Sequence, residues 1–130
     1  MTEPVWIDER ETLVFHDRLI AAQGGVPGIR DAGLLRSALA RPRQHAAYGD
    51  GAGMLMLAAL YTAGIVRNHP FADGNKRTGF VLGVLFLELN GYVFRASQED
   101  AANAVLALAA GQMDEHGYAT FLGDNTTSAS

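Results

Sequence analysis

The sequence predicts an all-α fold, a single-domain bundle of about six helices around a buried central helix. Three observations carry that prediction. Apolar residues recur at helical spacing in successive segments, capping residues, glycines and prolines separate those segments, and no stretch alternates at period 2 over a useful length. The 130 residues suffice for one domain that buries a core unaided. The absence of cysteine excludes disulfide frameworks, thiolate metal sites and thiol nucleophiles.

Asp8 is a natural N-cap, and Glu9 and Glu11 complement the helix dipole, so a first helix runs from about Glu9 to Gln23. Gly24-Gly25 ends it, and residues 25–31 are rich enough in Gly and Pro to form an ordered loop. Asp31 caps a short second helix with Leu34, Leu35, Ala38 and Leu39 as its buried stripe, and Pro42 stands where a stop belongs. His45 to Gly53 reads as a glycine-containing linker. Met54, Leu57, Ala58, Tyr61 and Ile65 then mark a third helix to about Asn68. Pro70 disfavours helical geometry at His69, which places that imidazole on a loop.

A fourth helix should begin near Gly74 and stop at Asn90-Gly91. Its bulky residues, Phe80 through Leu89, cover nearly every face, which marks it as the central helix. Tyr92 to Phe94 is an extended link or minor strand, Ser97 opens an Ala/Leu helix that stops at Gly111, and Asp114 caps a last helix to about Leu122. The domain is thus residues 1–122, and residues 123–130, with no apolar anchor, read as a disordered tail.

A net charge of −4 argues against a direct nucleic-acid binder. No basic, apolar leader follows Met1, and the longest apolar segment, Gly79 to Leu87, is about half of what a membrane span needs, so a cytoplasmic protein without a membrane partner is expected. Against the acidic background, Arg67, Lys76 and Arg77 outweigh Asp73 and leave the centre of the chain locally positive, as an anion site should be.

That centre, His69-Pro-Phe-Ala-Asp-Gly-Asn-Lys-Arg77, concentrates the chemistry. At a helix start, the backbone N–H groups of Gly74, Asn75, Lys76 and Arg77 lack intrahelical partners, and phosphate is their natural occupant. Gly74 lets an anion approach the backbone, while Lys76 and Arg77 add a point charge and a planar fork. Cations oppose the dipole at a helix N-terminus, a misfit that favours function over a solvated pair. Asp73 is placed to hold Mg²⁺, which takes one or two carboxylates and completes its shell with phosphates and water, although capping needs the same carboxylate. His69 is the general base and, with no nucleophile in the stretch, activates a hydroxyl supplied by the substrate. A Walker A reading fails on the Gly, Lys and Thr spacing.

The stretch resembles the HPFx[DE]GN[GK]R motif of the Fic superfamily, and with Lys76 it is similar to the death-on-curing (Doc) toxin branch. The resemblance covers about residues 8 to 122, through His16-Asp17, the Gly24-Gly25-x-Pro27-Gly28 loop with Asp31, Arg41-Pro42, Tyr48, and Phe86-Leu87-x-x-Asn90-Gly91-Tyr92. It implies a toxin that uses ATP and Mg²⁺ to modify a protein hydroxyl. His69 would be the base, Asp73 the magnesium ligand, Asn75, Lys76 and Arg77 the phosphate contacts, and Phe71 an inward-pointing anchor.

Adenylyltransferase members usually carry Gly where Lys76 stands and a second Arg where this chain has Phe80. Doc-type members act as kinases of translation elongation factor Tu, so the resemblance implies transfer of the γ-phosphate to a Ser or Thr of a translation factor, blocking translation. Gly74 is closer to the adenylyltransferase pattern, which makes adenylyl transfer the alternative. A catalytically silent module acting with its antitoxin on an operator is the third reading. The family's inhibitory motif, Ser or Thr, three residues, then Glu and Gly or Asn, is absent, which implies inhibition by a separate Phd-like antitoxin that folds on binding.

Other candidates receive structural readings. His16-Asp17 is a hydrogen-bonding pair, His45 and His116 are surface residues, Arg36, Arg41 and Arg43 are a solvated face, and Met54 and Met56 fill the core.

Overall fold

A computed structural model describes residues 3–48 and 53–129, without the side chain of Tyr48. Its elements are α1 (Glu9–Gln23), α2 (Ala32–Tyr48), α3 (Met54–Asn68), α4 (Asn75–Leu89), β1 (Tyr92–Phe94), α5 (Gln98–Ala109), α6 (Glu115–Asp124) and β2 (Thr126–Ser128). The all-α reading holds, with six helices and one two-stranded ribbon among the described residues.

The local signals act as their chemistry requires. The Asp8 carboxylate accepts from the Glu11 N–H at 2.8 Å, and Glu11 accepts in return from the Asp8 N–H at 3.2 Å, a reciprocal box at the start of α1. Asp31, Ser97 and Asp114 cap α2, α5 and α6 by accepting the N–H three residues on, at 2.9, 3.0 and 2.8 Å.

Three expectations are corrected. The central helix is α3, in which every residue from Leu57 to Val66 is buried, whereas α4 keeps Val81, Val84 and Leu85 only half-buried and Leu89 exposed. Bulk misled here, since it is the small residues of α3 that let neighbours close in on several sides. Gly64 lies against Ala38 of α2, where an added Cβ would sit 3.1 Å from the Ala38 Cβ. On α4, a Cβ at Gly79 would lie 3.0 Å from the Thr62 carbonyl oxygen, and one at Gly83 would collide with the Thr62 hydroxyl. That hydroxyl donates to the Gly79 carbonyl at 2.7 Å.

Second, α2 continues through Pro42 to Tyr48, so His45 belongs to a helix; the remainder of the expected linker up to residue 52 lies outside the described residues. An interior proline costs about 3 kcal/mol. Contacts on both sides of it oppose that cost. Pro42 is itself buried, Arg41 pairs with Glu115 of α6, and the Arg43 guanidinium lies 5.3 Å from the Trp6 ring centre. Arg41 and Arg43 are therefore tied down, and Glu115 also accepts from Arg67 at 2.9 Å, joining α2, α3 and α6.

Third, the expected tail is ordered through residue 129, and Ser130 lies outside the described residues. Residues 123 and 124 complete α6, and β2 pairs antiparallel with β1, Tyr92 opposite Ser128 and Phe94 opposite Thr126. Main-chain bonds supply an anchor that the polar composition of the segment does not signal. Arg95 N–H donates to Asn125 at 2.7 Å and Ala129 N–H to Gly91 at 2.9 Å.

The N-terminal segment closes the far end. Ile7 is buried and its N–H donates to the Tyr61 hydroxyl at 3.0 Å, while Asn90 brackets Val5, accepting from its N–H at 2.7 Å and donating to its carbonyl at 3.1 Å. The opposite end of the α3/α4 pair carries residues 69–74.

The α3/α4 contact leaves no room for a methyl group at position 83. Gly83→Ala should destabilise the protein by about 1–3 kcal/mol, read as a lower urea midpoint at an unchanged m-value; an unchanged midpoint would show that Thr62 can rotate away at no cost.

Candidate active site

The site is built on a helix exit that proline makes abrupt. His69 N–H still reaches back to Ile65 at 3.2 Å, but His69 itself is left-handed, with φ 49° and ψ 54°, the one non-glycine residue at positive φ among the described residues. For an L-residue that conformation costs roughly 1–2 kcal/mol. The imidazole is exposed, as the Pro70 argument requires.

Phe71 turns inward and is 1% exposed. Its ring stacks face to face on His16 of α1, centroids 3.8 Å apart and planes within 8°. His16, also 1% exposed, places Nε2 2.8 Å from the Asp73 carbonyl oxygen. A carbonyl can only accept, so the proton sits on Nε2. Asp17 is exposed and no closer than 4.0 Å to the ring, so the expected His16-Asp17 pair is replaced by His16 with Phe71 and Asp73.

The loop is also tied to itself and to residues 24–31. The buried Asn75 amide accepts from Phe71 N–H and donates to the Phe71 carbonyl, both at 3.0 Å, so this side chain closes the loop and leaves anion contact to its backbone N–H. Ala72 N–H donates to Gly28 at 3.1 Å, and Ile29 bridges Phe71. The N–H groups of Arg30 and Asp31 both donate to Pro70, at 2.7 and 3.0 Å.

The Asp73 carboxylate has a fixed seat. One oxygen accepts from Val26 N–H at 3.1 Å and the other from Gly74 N–H at 2.9 Å, and these two donors hold its pKa below the ordinary carboxylate value. The seat needs glycine at position 25, where φ is 122° and a Cβ would fall 2.8 Å from an Asp73 oxygen. Gly74 has a different reason from the one expected. Its φ is 75°, and its missing Cβ would point at Ile20 and His16 of α1, 3.2 and 3.7 Å away. Glycine here serves the turn and the helix behind it.

The N–H groups of Asn75, Lys76 and Arg77 take no acceptor among the described residues, as the first turn of α4 dictates, whereas Thr78 N–H returns to Gly74 at 3.0 Å. Lys76 and Arg77 are exposed and form no ion pair among the described residues. His69, Asp73, Lys76 and Arg77 all line one open cleft of about 880 Å³, so the structure brings the predicted residues together. The opposite wall comes from β1 and α5, with Phe94, Val105 and Leu106 facing the polar side. Phe80 lines the same cleft and packs edge-on against Phe94 at 5.9 Å.

The donor set suits magnesium that arrives with phosphate. Asp73 is a single, exposed, readily ionised carboxylate beside unengaged helix N–H groups, and no cluster of three or more His, Asp or Glu able to hold a metal occurs among the described residues.

Comparison with known proteins agrees with this construction. The model described as the Fic/DOC family matches residues 6–87, more than half of the chain. The chain belongs to the Fic/Doc family, in its Doc branch. It is 34% identical over 85 residues to Protein kinase doc of Escherichia phage P1, an alignment covering 65% of this chain and 68% of that protein. It is 40% identical over 91 residues to Toxin Doc of Mycolicibacterium smegmatis, covering 65% of this chain and 69% of the relative. Among the described residues, no helix is long and apolar enough to cross a membrane.

Sequence reasoning missed three contributors: Arg30, the contact of His16 with the motif, and the apolar wall from β1 and α5. Only the loop holding Arg30 carried a signal, its Gly and Pro content.

Asp73 generates a pH prediction. A carboxyl whose folded pKa is depressed contributes stability above its unfolded pKa, near 3.8, and loses it as the pH falls through the folded value. Asp73→Asn should lower the urea midpoint at pH 7, and the gap to the parent should begin to narrow near about pH 4 and go on closing as the pH falls through the lower folded value. A gap independent of pH would show that the Val26 and Gly74 contacts do not favour the ionised form.

Proposed function

We propose that the protein is the toxin of a toxin–antitoxin pair and that it transfers the γ-phosphate of ATP to a Ser or Thr hydroxyl of a translation factor of the elongation factor Tu kind, blocking translation in the cytoplasm. The observation that carries this reading is the anion end of the cleft. It offers the first-turn N–H groups of α4, Lys76 and one arginine, Arg77, while Phe80 occupies the next helical turn and packs on Phe94. A second guanidinium there would hold a further phosphate; an aromatic ring cannot. Lys76 projects where a glycine would leave space for inner phosphates, which favours a nucleotide presenting its terminal phosphate to His69. The names of the relatives, a protein kinase and a toxin, agree with the reading.

The chemistry follows from the residues. The α4 N-terminus, Lys76 and Arg77 hold the phosphates by charge and hydrogen bonding, the part of phosphoryl transfer that depends on positioning. His69 accepts the proton of the protein hydroxyl as its oxygen bonds to the γ-phosphorus, the bond from that phosphorus to the bridging oxygen breaks, and ADP leaves. Asp73 would hold Mg²⁺ together with the phosphates, and the chemistry supplied there would be neutralisation of the charge developing on the leaving group. A Phd-like antitoxin would restrain the activity. Gly74, the residue that favoured adenylyl transfer, is accounted for by its backbone conformation and by Ile20.

Incubation with γ-labelled and α-labelled ATP in a translation extract separates the reactions. Phosphoryl transfer carries only the γ label into protein and adds the mass of one phosphate; incorporation of the α label would establish adenylyl transfer instead. His69→Ala should lower the rate by roughly 10²- to 10⁴-fold. If it left toxicity in growing cells unchanged, the protein would act as a catalytically silent partner of its antitoxin.

A further inference from the structure

We propose that Arg30 is a positioning residue for the His69 imidazole, its guanidinium holding the main-chain carbonyls of the peptide groups on either side of that residue. This rests on the reading of His69 as the proton acceptor.

A helix that leaves through a left-handed residue turns N–H groups back onto carbonyls deeper in its last turn, so the carbonyls at the exit itself need other donors. His69 makes the first such bond, to Ile65. The next residue is Pro70, which has no N–H, and Phe71 N–H is committed to the Asn75 amide. No backbone N–H among the described residues reaches the Asn68 or the His69 carbonyl, and Arg30 serves both. Its Nε donates to the His69 carbonyl at 2.7 Å and its Nη2 to the Asn68 carbonyl at 2.9 Å. With the backbone N–H groups of Arg30 and Asp31 both on Pro70, two residues hold three consecutive carbonyls, those of residues 68, 69 and 70.

The side-chain chemistry is specific to arginine. Nε and Nη2 form one rigid edge, so two donors reach two successive carbonyls at a fixed separation, which a lysine ammonium on a flexible stem cannot reproduce. The charge also lies at the C-terminus of α3, the end that favours cations. Arg30 is exposed and in no ion pair among the described residues, so these two carbonyls are its described side-chain partners. Fixing the peptide groups on both sides of His69 fixes φ and ψ at an intrinsically disfavoured value, and thereby the direction in which its Cβ enters the cleft. Without Arg30 the residue is free to relax toward negative φ and swing the imidazole away from Asp73 and Lys76.

Steady-state kinetics of phosphoryl transfer, with parent, Arg30→Ala, Arg30→Lys and His69→Ala, test the proposal beside ¹⁵N-edited NMR of the histidine side chains. Arg30→Ala should lower kcat by about 10- to 100-fold with KM for ATP within about twofold of the parent. Lysine should not restore it. Because the position is exposed, added guanidinium ion should restore part of kcat in Arg30→Ala and nothing in the parent. The His69 signals should shift or broaden while those of His16, buried against Phe71, stay in place. Parent-like kcat in Arg30→Ala, with His69→Ala inactive, would overturn the proposal and leave the phosphotransfer reading intact. Should His69→Ala retain activity, the phosphotransfer reading fails instead, and the NMR comparison alone decides whether Arg30 fixes the ring. Unmoved His69 signals, or His16 signals that move equally, would overturn it.

Discussion

The flat stack of Phe71 on His16 is the contact on which the site depends. A loop of six residues between two helices has little internal structure, and this one carries a left-handed histidine followed by a proline without an N–H, which other contacts must compensate. Burial of the Phe71 ring fixes the loop's depth, and the His16 N–H on the Asp73 carbonyl fixes its rotation. Once both are set, the Asp73 carboxylate meets Val26 and Gly74, and α4 starts with its free N–H groups facing the cleft. Both partners lie almost wholly out of water, where stacking and a satisfied hydrogen bond count most.

The electrostatics then follow from backbone direction. An acidic protein gathers two exposed cations at the one helix end where the dipole opposes them, beside a carboxylate held ionised by backbone donors. Unfavourable for the free protein, this arrangement is suited to a polyanion that supplies the missing negative charge.

How far this was legible in the sequence depends on the range of the interaction. Caps at Asp8, Asp31, Ser97 and Asp114 are local chemistry and were readable, as were the six helices and the convergence of His69, Asp73, Lys76 and Arg77. Pro42 and the C-terminal strand were misread because distant partners decide them: Trp6 and Glu115 for the proline-containing helix, β1 for the strand. The central helix was misassigned because close packing selects small side chains, which carry little hydrophobic signal. Arg30 sits 38 residues before the Asn68 carbonyl it serves, and no pattern in a single sequence links them.

The motif divides by the direction of its side chains. Those of Phe71 and Asn75 are buried and maintain the loop, whereas those of His69, Lys76 and Arg77, with Phe80 one turn on, line the cleft, and Asp73 serves both. Evolution can therefore revise the second set with little disturbance to the first. On the proposed reading, substitutions at 76 and 80 would alter how a phosphate chain is received without touching the framework that holds His69, so that related chains could diverge in the group they transfer while inheriting one scaffold.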